Sequence, residues 1–279
     1  NESAGEAYGF HLAWSGNHLL RVDSLTDGRV LTSLGALLLP GEVRLAPGES
    51  YASPEIVAAY SADGFSALSR KFHEHVRTKL LRPTMRAKPR PVHYNTWEAV
   101  YFGHDVEKLK ELATRAAEIG VERFVLDDGW FGGRRHDRAG LGDWVVSNDI
   151  YPDGLKPLVD HVTGLGMEFG LWFEPEMVNP DSELYRAHPE WVLGVEGVDQ
   201  VPFRSQLALD ISRPEVADHL FLAIDAVLRD HDIRYIKWDM NRDLGHPGGS
   251  SGTPKAFAQV TALYALLDRV RAAHPDVEI

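Results

Sequence analysis

From Val92 onward the chain alternates short apolar segments with helical ones, and this alternation limits the fold more than any other feature of its 279 residues. Residues 92–97 are apolar and β-rich. Residues 106–119 carry helical spacing and stop at Gly120, and 123–126 are an apolar run that ends on Asp127 and Asp128. After a long loop, 129–153, a helical stretch at 155–165 stops at Gly166, and a second run, 169–173, ends on Glu174. A short helix at 182–191, an apolar run ending on Asp210, a helix at 213–231 capped by Ser212, a run ending on Asp239 and a helix at 254–273 follow. Repeated strand–helix alternation predicts a parallel sheet. No glycine-rich phosphate fingerprint follows the first strand, and acids recur at strand ends instead. That pattern favours a (β/α)8 TIM-type barrel, whose βα loops share one face, over an open doubly wound sheet. Five strand–helix units and the opening of a sixth strand at Val277-Glu278-Ile279 fall short of eight, so the barrel is expected to be incomplete in this chain.

The first part of the chain has a different texture. Short β-like segments at 8–14, 18–22, 29–32 and 55–60 are separated by Gly and Asp-Gly turn signals. Residues 64–81 read as an amphipathic helix, with Phe65, Leu68, Phe72, Val76 and Leu80 at three- and four-residue steps. Pro83, Pro89 and Pro91 then stiffen the connection. The expected organisation is the end of an N-terminal β-sandwich domain with its linking helix at 1–81, a linker at 82–91, and the first five to six barrel strands at 92–279. A formal net charge of -12 repels polyphosphate and argues against nucleic acid. Cysteine is absent, which removes disulfides and thiolate chemistry together. No apolar run is long enough to span a bilayer, and the first residues lack a signal-peptide layout. The expectation is a cytoplasmic protein with no membrane partner.

The chemistry is expected at the strand ends, where Asp127, Asp128, Glu174, Glu176, Asp210 and Asp239 recur. Any one of these acids could be a helix cap, but capping needs no tryptophan, and Trp130, Trp172 and Trp238 stand beside them. Aromatic faces next to hydrogen-bonding carboxylates suit a pyranose. Strand alternation puts Lys237, Asp239 and Asn241 on one face. A cation there would hold Asp239 ionised, as a glycosidase nucleophile must be, although a structural Lys–Asp pair fits the same spacing. The pair His73 and His75 does not share a helix face and reads as surface. Arg134-Arg135-His136 reads as a solvated charge cluster in the long loop.

Several segments closely resemble glycoside hydrolase family thirty-six, the large microbial α-galactosidases. They are Asn95-Thr96-Trp97-Glu98, Leu126-Asp127-Asp128-Gly129-Trp130-Phe131-Gly132, Gly142-Asp143-Trp144, Trp172-Phe173-Glu174-Pro175-Glu176-Met177-Val178 and Lys237-Trp238-Asp239-Met240-Asn241-Arg242. The resemblance covers essentially the whole chain and is densest from residue 92. It implies an N-terminal β-supersandwich, a (β/α)8 catalytic barrel and a C-terminal β domain. It implies retaining hydrolysis of terminal α-galactosides of the melibiose and raffinose type, with Asp239 as nucleophile. It assigns the galactosyl unit to Asp127, Asp128, Trp172, Arg204, Lys237 and Asn241, with Trp97 lining the pocket and Trp238 beside it. It places the acid/base Asp beyond residue 279, requires no cofactor or metal, and implies a homo-oligomer, a tetramer, for the whole protein. Competing readings are an α-galactosyl transferase or an α-N-acetylgalactosaminidase on the same site, a non-catalytic sugar-binding fragment, and, from a different class, a metal-dependent barrel enzyme with carboxylates at successive strand ends.

Overall fold

In the computed structural model, which describes residues 1–279, the chain divides into two units, Asn1–Arg90 and Pro91–Ile279. In the first unit, β1 (Ala7–Leu12) pairs antiparallel with β4 (Ile56–Ser61), from Ala7 opposite Ser61 to Leu12 opposite Ile56. Strands β2 (His18–Ser24) and β3 (Val30–Ala36) form a separate antiparallel pair around the Asp27-Gly28 turn. Helix α1 (Gly64–His75) runs on into a π-helical turn, Val76–Leu80. The expected apolar stripe is only partly used: Leu68 is buried, while Phe65, Val76 and Leu80 stay exposed. Pro83 does not interrupt structure but opens a one-turn helix, α2 (Pro83–Arg86), at the position where a missing N–H costs nothing.

The second unit is built on a four-stranded, all-parallel sheet. Its strands are β5 (His93–Asn95), β6 (Arg123–Leu126), β7 (Glu168–Phe173) and β10 (Tyr235–Trp238), hydrogen-bonded in that spatial order. The helices between them are α3 (Trp97–Val100), α4 (Val106–Glu118), α5 (Lys156–Gly164), α6 (Glu183–Ala187) and α7 (Pro214–Asp230), and α8 (Ala256–Ala273) follows β10. Strands β6 and β7 read as almost unbroken apolar runs because both of their faces are covered. Gly120 and Gly166, at φ 88° and 82°, take the left-handed conformation that ends α4 and α5, a conformation strained for any residue with a Cβ. Arg123, 2% exposed, opens β6 and bonds Glu168, the first residue of β7, at 2.7 Å and Glu278, which bridges to Tyr235 of β10, at 2.7 Å. No helix is long and apolar enough to cross a membrane.

Two expectations need correction. The apolar run 206–210 is not a strand of the parallel sheet. Its strand β9 (Leu207–Ala208) pairs antiparallel with β8 (Met177–Val178) in a two-residue ladder. The edge of β7 is already taken by β10, from Tyr235 opposite Gly170 to Trp238 opposite Phe173. The parallel sheet therefore holds four strands, and a parallel bridge from Tyr235 to Glu278 marks a fifth, where five strands and the opening of a sixth are expected with 206–210 among them. Ser212 does not cap α7 either. Its hydroxyl donates to Asp210 at 2.5 Å, and Arg213 occupies the cap position without a side-chain bond to the helix's first N–H groups.

Candidate active site

The register of the parallel sheet sets the site. Leu126 lies opposite Leu171 and Lys237 opposite Trp172, so one step along β6 Asp127, Trp172 and Lys237 form a row across three strands. Phe173 lies opposite Trp238, so the next residues, Glu174 and Asp239, form a second row. Strand alternation turns 172, 174, 237 and 239 to the same side. All of them line one cavity of about 320 Å³. Trp97, Asp128, Arg204 and Asn241 line it too, so eight of the nine residues expected at the site are brought together.

The ninth, Trp238, is not among the lining residues. The same alternation that directs Lys237 and Asp239 into the cavity turns Trp238 away, and its indole N–H donates to Glu176 at 3.1 Å. Trp130 is likewise not a sugar platform. It is fully buried, packs against Phe131 and Phe173, and donates from Nε1 to the Trp172 carbonyl at 2.9 Å. Of the other strand-end acids, Asp210 lies outside the cavity and is paired with Lys255 at 2.5 Å.

Each carboxylate in the cavity is held differently. Asp239 is half-buried, and its Oδ2 accepts from Asn241 Nδ2 at 2.6 Å and Trp172 Nε1 at 3.1 Å. The 2%-exposed Trp172 thus offers the site its N–H edge, while the half-buried Trp97 presents more of its ring. Lys237 does not hold Asp239. Its ammonium bonds Asp127 Oδ2 at 2.7 Å, where Asn95 Nδ2 also donates at 2.6 Å. The two-residue spacing pointed to Asp239, but the long side chain reaches across β7 to the row-mate on β6. Asp128 turns elsewhere and forms a forked pair with Arg134, with Nε to Oδ1 at 3.0 Å and Nη2 to Oδ2 at 2.8 Å. Burial pushes the Asp128 carboxyl up from its ordinary range, and the Arg134 guanidinium opposes that shift. Against Gly129, burial holds His104 down to about 4, so it is neutral at physiological pH, with Nδ1 2.8 Å from the Tyr151 hydroxyl.

Glu174 is 1% exposed and accepts from Asn241 N at 2.5 Å and Gln206 Nε2 at 2.9 Å. Burial raises its carboxyl to about 7, against lowering by the Asn241 N–H, and the Asp239 charge raises it further. The folded chain therefore keeps a proton that the unfolded chain releases near pH 4.5. Compared with Glu174→Gln, the wild type should lose stability as pH rises from about 4.5 to about 7, by roughly 3 kcal/mol, and no more above that window. Denaturant midpoints of both forms of the intact protein at pH 5 and pH 8 check this; parallel pH profiles would contradict it.

Arg204 sits at the tip of a two-residue hairpin. Phe203 and Gln206 bridge antiparallel, and Arg204 and Ser205 between them have φ of 52° and 58°. Positive φ at both central residues is the type I′ pattern, which favours Asn-Gly and strains residues such as these. Arg204 Nη1 donates to Asn241 Oδ1 at 2.9 Å, which links the tip to the partner of Asp239.

The sequence reading missed Phe102, Arg134, Asp137 and Gln206, which also line the cavity. Arg134 is 2% exposed rather than solvated, and its neighbour Arg135 bonds the carbonyls of Gly129 and Gly132, both at 3.1 Å. Two adjacent acids at a buried strand end demand a nearby cation, and that demand was the available signal.

A model of the Melibiase family matches residues 50–279, and one of the glycosyl hydrolase family 36 N-terminal domain matches residues 1–46. The chain belongs to glycoside hydrolase family 36. An α-galactosidase of Escherichia coli is 45% identical over 278 residues, covering 100% of this chain and 39% of that protein. The α-galactosidase AgaA of Geobacillus stearothermophilus is 42% identical over 282 residues, covering 99% of this chain and 39% of its own length. The crystal structure of an AgaA variant with 1-deoxygalactonojirimycin matches this fold with a TM-score of 0.94 at 42% identity, over 99% of this chain and 39% of that one. This family 36 chain thus spans 39% of the length of these curated relatives.

Proposed function

We propose that this chain carries the galactosyl site of a retaining α-galactosidase. The observation that carries the reading is the placement of Asp239, open to the cavity and fixed by three N–H donors, with Asp127, Lys237, Asp128 and Arg204 around it. In this reading the Asp239 carboxylate attacks the anomeric carbon of a terminal α-galactoside. A glycosyl ester forms as the bond to the leaving oxygen breaks, and a second carboxyl protonates that oxygen. The same second group then takes a proton from water, which attacks the anomeric carbon and releases Asp239. On the family's pattern the second carboxyl is an Asp beyond Ile279. The four parallel strands are, in the same proposal, the first part of a (β/α)8 barrel, and 1–81 the end of a β-sandwich domain. Raffinose and stachyose, bound by AgaA variants in solved structures, give the substrate class. A cytoplasmic homo-oligomer is the corresponding proposal for the whole protein.

Galactose differs from glucose in its axial O4, and the cavity offers charged partners suited to reading hydroxyl positions. A site built to hydrogen-bond a hydroxyl rejects the misplaced one strongly. The intact protein should therefore favour an aryl α-galactoside over the matching α-glucoside by on the order of 10³-fold or more in kcat/KM. Comparable efficiency on the two sugars would refute the assignment.

A further inference from the structure

We infer that Asn179, a residue outside the cavity, is a positioning residue that locks the two arginines of the site into one geometry. This rests on the α-galactosidase reading above. Asn179 is 0% exposed, and every polar atom of its side chain is engaged. Its Oδ1 accepts from Arg134 Nη1 at 2.9 Å and from the Leu141 backbone N–H at 2.9 Å. Its Nδ2 donates to the Ser205 carbonyl at 2.8 Å and the Asp137 carbonyl at 3.2 Å. Two acceptor sites and two donors are the whole capacity of a carboxamide. Its partners also fix which way it faces, since a flipped amide would set N–H against N–H and oxygen against two carbonyls.

The four partners come from separate parts of the site. Arg134 grips Asp128, Asp137 lines the cavity, and the Ser205 carbonyl belongs to the strained turn that presents Arg204. The backbone of Asn179 is held as firmly: its N–H donates to the Leu141 carbonyl at 3.0 Å, and its own carbonyl accepts from Ser182 Oγ at 2.8 Å. Ser182 in turn caps α6, so the carboxamide is anchored to a helix start. One buried group therefore couples the loop after β6 to the Arg204 hairpin. A type I′ turn of Arg and Ser is not favoured by its own residues, and the bond from Asn179 to the Ser205 carbonyl joins the Phe203–Gln206 bridge in holding it.

The role separates from plain structural support through coupling. Asn179→Asp keeps the volume but turns the two donors into an acceptor facing two carbonyls, and Asn179→Ala removes all four bonds. In the intact enzyme each should raise KM and lower kcat/KM by on the order of 10²-fold, as displacement of a substrate-holding group does. The decisive measurement is a double-mutant cycle with Arg204→Ala on an aryl α-galactoside, with thermal scans of every variant. If Asn179 acts by placing Arg204, either Asn179 change should cost well under its full factor once Arg204 is gone. Full additivity, or a loss confined to thermal stability with KM unchanged, would overturn the inference. Should Asn179→Ala fail to fold, the Asn179→Asp arm decides. A wild type with no turnover on any α-galactoside would instead remove the functional reading, and this inference with it.

Discussion

Asp239→Asn should abolish turnover in the intact enzyme, with a fall in kcat on the order of 10⁴-fold or more, the scale seen when a catalytic nucleophile is removed. The amide keeps the shape of the side chain, and its oxygen can still accept from Asn241 or Trp172. It loses the negative charge that attacks the anomeric carbon in the proposed mechanism. Binding of galactose should persist, because Lys237, Asp127 and Arg204 are untouched. A 2-deoxy-2-fluoro galactosyl donor should label Asp239 in the wild type, as mass spectrometry of the peptide containing it would read. Retention of more than about a tenth of the wild-type activity, or a label on another residue, would remove Asp239 from the role.

The second large effect is expected at Arg134. Arg134→Met takes away the forked partner of Asp128 and leaves a carboxylate 5% exposed without a cation. Breaking a buried pair on one side costs about 3–5 kcal/mol, because the remaining charge is uncompensated. Without the guanidinium the carboxyl should rise further, which in the proposed reading weakens an acceptor for a sugar hydroxyl. Stability should fall by that amount and kcat/KM by on the order of 10²-fold or more. Adding Asp128→Asn should recover much of the stability and none of the activity. Denaturant unfolding and initial rates of the two variants check both halves; a lone Arg134→Met that melts and turns over like the wild type would refute the account.

What could be read from the sequence, and what could not, divides along physical lines. Strands β6 and β7 were legible because short apolar runs that end on acids occur where a covered strand meets an active face. The ends of α4 and α5 were legible because Gly120 and Gly166 serve a backbone conformation that few other residues tolerate. The segment 206–210 was not, since a two-residue antiparallel ladder and a buried parallel strand present the same apolar run. Residues near Asp239 along the chain were easier to place than its partners. The bond from Lys237 to Asp127 crosses a whole strand, and Arg134 sits in a 25-residue loop with no periodicity to report its burial. Trp238 shows the cost of counting aromatic residues beside acids without applying strand alternation to each one.

The turn at Arg204 and Ser205 has a consequence for attempts to make the protein more robust. Substitution toward Asn-Gly at these two positions relieves a left-handed penalty of about 1–2 kcal/mol per residue, so a screen for heat resistance would favour it. The same exchange deletes the guanidinium at the tip and its bond to Asn241. Ser205 alone can be changed to Gly with the arginine kept, because its contribution to the network is a backbone carbonyl that glycine also carries. On the proposed reading, hardening and sugar recognition thus compete at one position of the hairpin and not at its neighbour.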